Sequence, residues 1–100
     1  MPVTLDNTSL SAPERLVAET RVDFRSAVLE KLARAGEGGG GALTIDMTVT
    51  RDIDASGLGM LVLVQKRARE RGIPICLRNP QQQIRSLLAL TKLDVLFQYA

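Results

Sequence analysis

Apolar residues return along this chain with two different periods, and the change of period marks its elements. From Thr20, the residues Phe24, Ala27, Val28, Leu32 and Ala35 recur every three or four positions, while Asp23, Arg25, Glu30, Lys31 and Arg34 fill the opposite face. That spacing predicts a helix with one buried stripe. Thr20 and Asp23 stand at the separation of a helix start in which the third residue reaches back, and Gly36 is placed to stop the helix. From Leu43 the period falls to two: Leu43, Ile45 and Met47 alternate with Thr44, Asp46 and Thr48, the pattern of a strand with one face on a core. Ile53 then leads into a turn, after which Leu58, Leu61 and Val62 form the inner face of a second helix that Gly72 ends.

The apolar run Ile75-Cys76-Leu77 after Pro74 predicts a further strand, with Cys76 buried in it as a small hydrophobe. Asn79 is positioned to cap a third helix, Pro80 suits its first turn, and Ile84, Leu87, Leu88 and Thr91 form its inward stripe. Leu93, Val95, Leu96 and Phe97 close the core as a short helix or an extended segment. Ahead of the first helix, residues 3–6 and the region of Leu16 and Val17 read as short strands, separated by turn-rich Asn7-Thr8-Ser9 and Ser11-Ala12-Pro13. Strand and helix alternate, so the chain is expected to be a single α/β domain over residues 1–100, with helices against a sheet and right-handed crossovers.

Composition removes several classes of function. The 100 residues, 45% hydrophobic, suffice for one core. No histidine is present, so no imidazole serves a triad or a metal, and the lone Cys76 leaves no partner for an internal disulfide. The longest apolar run, residues 58–64, is far below the roughly 20 residues of a membrane span, and the start lacks the order of a signal peptide; a cytoplasmic protein without membrane insertion is expected. The net charge of +2 rests on 13 basic and 11 acidic residues with only three aromatics, which does not favour direct nucleic-acid binding. Lys66, Arg67, Arg69 and Arg71 form one basic run, read here as cations that offset a helix dipole. Residues 36–41, Gly-Glu-Gly-Gly-Gly-Gly, lack the lysine and hydroxyl residue of a phosphate loop and read as a connector. Asp46, Asp52 and Asp54 do not assure the six or more oxygens a hard cation prefers, so neither metal nor cofactor is assigned.

The residues with most chemical content are 51–64, Arg-Asp-Ile-Asp-Ala-Ser-Gly-Leu-Gly-Met-Leu-Val-Leu-Val. They place Ser56 where a strand gives way to a helix, with Gly57 and Gly59 allowing a tight turn. Read from the residues alone, Ser56 is a helix cap; a phosphate on it would add about −1.5 to −2 charge at a helix start. The two roles are compatible.

The order Asp-Ala-Ser-Gly-Leu-Gly-x-Leu, then Arg-Ala-Arg-Glu-Arg-Gly-Ile-Pro-Ile, then Leu-Leu-Ala-Leu-Thr-Lys-Leu-Asp-Val-Leu-Phe, resembles the anti-sigma-factor antagonist (STAS) family over residues 16–97. The resemblance implies a small mixed sheet of four or five strands covered by helices. It implies no catalysis, binding of a serine kinase or anti-sigma factor, phosphorylation of Ser56, and a partner surface of Asp54, Ser56, Gly57, Leu58 and Gly59. The family's aspartate before the first helix aligns with Val17, with Glu19 nearby in sequence. That departure keeps an alternative open: a constitutive module such as the accessory subunit of a membrane transporter.

Overall fold

A computed structural model describes residues 7–37 and 42–100. In chain order the elements are β1 (Asn7–Ser11), β2 (Arg15–Leu16), α1 (Ala18–Glu37), β3 (Ala42–Asp46), β4 (Asp52–Ile53), α2 (Ala55–Glu70), β5 (Ile75–Arg78), α3 (Gln82–Leu90), a 3-10 turn (Asp94–Leu96) and β6 (Gln98–Tyr99). The α/β class holds. β1, β3, β5 and β6 lie side by side in that order, every pair parallel, while β2 and β4 form a separate two-stranded parallel sheet.

A strand order that advances one place per crossover lays successive helices on the same face when the crossovers share one hand. Burial follows that arrangement. Leu43 and Ile45 of β3 and Ile75 and Leu77 of β5 are buried with Val28 and Leu32 of α1, Leu61 and Val64 of α2, and Ile84 and Leu88 of α3. The opposite face carries Thr44 and Cys76, paired in register, and the ion pair of Arg78 with Asp46. Cys76 is therefore half-buried on the open face, not in the core, because a sheet covered on one side buries only alternate residues.

Several local expectations are corrected. Asn7-Thr8-Ser9 is strand, held by parallel pairing with residues 42–44. The strand expected at residues 3–6 lies outside the described residues. α1 starts at Ala18, and it is Thr20 that reaches back, its Oγ1 accepting from the Val17 N–H at 3.0 Å and donating to the Arg15 carbonyl at 2.6 Å. Asn79 does not cap α3: it adopts φ +58°, a conformation asparagine tolerates, and its N–H donates to the Ala100 carbonyl. The cap position belongs to Gln81, whose side chain does not cap the helix but donates to the Thr48 carbonyl at 2.9 Å. α2 buries Gly57, Met60, Leu61, Val64 and Ala68, a stripe turned from the expected one so that Leu58 and Val62 are half-buried at its edge. The closing segment is both expected forms in succession, a 3-10 turn and then β6.

Candidate functional site

Both long helices begin at one side chain. Asp54 precedes α2 with an extended backbone, and its Oδ1 accepts from the Gly57 N–H at 2.9 Å. Its Oδ2 accepts from the N–H of Ala18, the first residue of α1, at 3.2 Å. A carboxylate is well suited to such amides, which lack intrahelical partners and sit at the positive end of a helix dipole. The Gly57 N–H first, and the Ala18 N–H in addition, hold the Asp54 carboxyl below the usual carboxylate range, so it is ionised at neutral pH. Asp54, not Ser56, is thus the cap of α2.

Ser56 is the second residue of α2 and half-buried. Its position inside the first turn, two residues after Asp54, leaves the cap to the Asp54 carboxylate. Gly57 is buried because α2 presses on β2: a Cβ there would lie 2.1 Å from the Leu16 carbonyl oxygen and 2.8 Å from Ile53 Cγ1. Gly59 is the reverse case, exposed, with nothing within 4 Å of where a Cβ would sit. Leu58 packs against the edge of the core between them.

Beside this turn runs an open groove of about 550 Å³ between the β2–β4 pair and α3. Val17, Ile53 and Asp54 line one wall, Gln83, Ile84 and Leu87 the other, and Glu19 and Asp52 bring further carboxylates to it. Val17 is buried at the start of α1, so the family's aspartate position is an apolar one here; Glu19 supplies a carboxylate to the same groove. Exposed ion pairs Arg15–Asp52, at 3.6 Å, and Arg51–Glu14, at 3.8 Å, frame the mini-sheet.

Asp46, Asp52 and Asp54 have separate partners. Asp46 accepts from the hydroxyl and N–H of Thr48, which with Arg78 lower its pKa, Asp52 pairs with Arg15, and Asp54 holds the two helices. Among the described residues no three acidic or cysteine side chains are close enough to hold a metal ion. Neither the double role of Asp54 nor the α3 wall was read from the sequence; the Asp54-to-Gly57 spacing was the available signal for the first.

A family model described as "Mlab, STAS domain" matches residues 4–98. The chain belongs to the STAS-domain family. Its fold is shared with the crystal structure of a Thermotoga maritima protein provisionally described as an anti-sigma factor antagonist: the TM-score is 0.81 at 22% identity, covering 98% of this chain and 81% of that one. The NMR structure of the same Thermotoga maritima protein gives a TM-score of 0.79 at 21% identity, covering 99% of this chain and 77% of that one. At such identities the likeness is one of fold. A comparison with curated proteins finds no match. In this STAS domain no helix among the described residues is long and apolar enough to cross a membrane.

Proposed function

We propose that this STAS domain is a non-catalytic partner-switching protein of the anti-sigma-factor antagonist kind. Unphosphorylated, it binds a serine kinase or an anti-sigma factor through Ser56 and the turn formed by Asp54, Gly57, Leu58 and Gly59; phosphorylation of Ser56 ends that binding. The observation that carries the reading is the placement of Ser56 in the first turn of α2 beside an ionised Asp54. Because Asp54 already occupies the Gly57 N–H, a phosphate gains little from that amide and meets a like charge. Its added charge is turned toward the partner, where repulsion and desolvation oppose docking. The nucleotide for the transfer belongs to the kinase.

Ser56→Ala is expected to keep partner binding and lose phosphate incorporation, and Ser56→Asp to bind more weakly than wild type. Phosphate transfer with the cognate kinase and titration of both variants against the partner test this. The buried, apolar Val17 favours a second reading, a constitutive STAS module such as the accessory subunit of a membrane transporter. Wild type that is never phosphorylated, with Ser56→Asp binding as tightly as wild type, selects it.

A further inference from the structure

α1 and α2 start together at Asp54 and lie side by side, so their C-terminal ends form one end of the molecule. That juxtaposition is visible in a groove of about 360 Å³ where Leu29 and Leu32 of α1 meet Arg67, Glu70 and Arg71. The sequence run Lys66, Arg67, Arg69 and Arg71 therefore does not stand alone: Lys31 and Arg34 of α1 join it. Arg34, Lys66, Arg67, Arg69 and Arg71 are exposed and Lys31 half-buried, and among the residues whose side chains are described none of the six forms an ion pair.

Dipole compensation is too small to account for this end. Two helix C-termini present about half a negative charge each. Against them stand six cations with three acids, Glu30, Glu37 and Glu70, a balance of +3 where the whole chain carries +2. The remainder of the molecule is accordingly net negative, and the charge is polarised along the paired helices. α2 alone, at 16 residues, separates Ser56 from this end by roughly 20 Å.

We propose that this basic end docks on an anionic phospholipid surface, holding the domain there peripherally with the Ser56 turn facing away. The diffuse form of the charge argues for a lipid surface. Of the six cations only Arg67 and Arg71 line the groove between the helices, and that groove includes Glu70, which opposes an acidic peptide. Base stacking has no exposed platform: Phe24 and Phe97 are buried, and Tyr99 lies under Arg85 at 4.8 Å. Clusters of four to eight Lys and Arg at a surface suffice for attraction to anionic headgroups, an attraction that salt screens.

The test is co-sedimentation of the full chain with vesicles of phosphatidylcholine, with and without phosphatidylglycerol, at low and high salt. Binding is expected only with phosphatidylglycerol and should fall at high salt. Arg67→Gln with Arg71→Gln should weaken it by roughly an order of magnitude. Lys66→Gln with Arg69→Gln, a second pair of exposed sites, should do the same, and thermal melting confirms that each variant folds. Arg15→Gln with Arg51→Gln, the same charge change at the opposite end, should leave binding intact, as should Ser56→Asp. Absence of phosphatidylglycerol binding, or equal loss in the Arg15/Arg51 variant, overturns the proposal. So does tighter binding to duplex DNA than to vesicles, or a salt-sensitive oligomer, which would show the basic end seated on the acidic end of another copy.

Discussion

Two glycines, two positions apart, face opposite demands. At Gly57 any side chain meets backbone, since a Cβ would stand 2.1 Å from the Leu16 carbonyl oxygen. Gly57→Ala must push α2 off the mini-sheet and should cost more than about 4 kcal/mol, read as loss of a cooperative melting transition. At Gly59 the space is empty, and the fold gains nothing from the missing side chain. Gly59→Ala should therefore stabilise by about 0.5–1 kcal/mol in thermal or denaturant melts. A variant that melts higher yet binds its partner less tightly would place the partner's surface on that turn. Cys76, on the open side of the sheet, should react with a thiol reagent without prior global unfolding, so its labelling rate should exceed the unfolding rate measured by denaturant jump.

At the level of elements, Asp54 makes the start of α1 and the start of α2 depend on one ionisation. Its carboxyl titrates lower in the fold than in the unfolded chain. The stabilisation it gives is complete above the ordinary carboxylate pKa, about 3.9, and is lost as pH falls through the lower folded value. Asp54→Ala should melt below wild type at neutral pH, with the gap closing in strong acid. The sequence showed the three helices and β3 plainly, because each has a run long enough for its period to be counted, and it showed β5 only as a short apolar run in which the outward-facing Cys76 could not be told from its buried neighbours. It did not show β1, whose Asn-Thr-Ser-Leu-Ser has Thr8 as its one strand-favouring residue and is strand because β3 lies beside it. Asp and Ser both cap helices, so local pattern could not choose between Asp54 and Ser56. Nor could it show a bond to Ala18, 36 residues away.

Across the whole molecule, β3 and β5 are flanked on both sides and buried on one face, while β1 and β6 are the outer strands of the sheet. Amide hydrogen exchange should be slowest at Leu43, Ile45 and Leu77 and faster along Asn7–Ser11, because the outermost strand opens at lower free energy than the centre. The double hold of Asp54 also bears on how a kinase would find Ser56. The amides it grips come from distant parts of the chain, and the glycine after the serine is seated against Leu16. A synthetic peptide of residues 50–64 contains every letter of the motif but neither the Ala18 N–H nor that seat. On the proposed reading, a kinase acting on Ser56 would meet an assembled epitope rather than a linear one, and the peptide should be a far poorer phosphate acceptor than the folded domain.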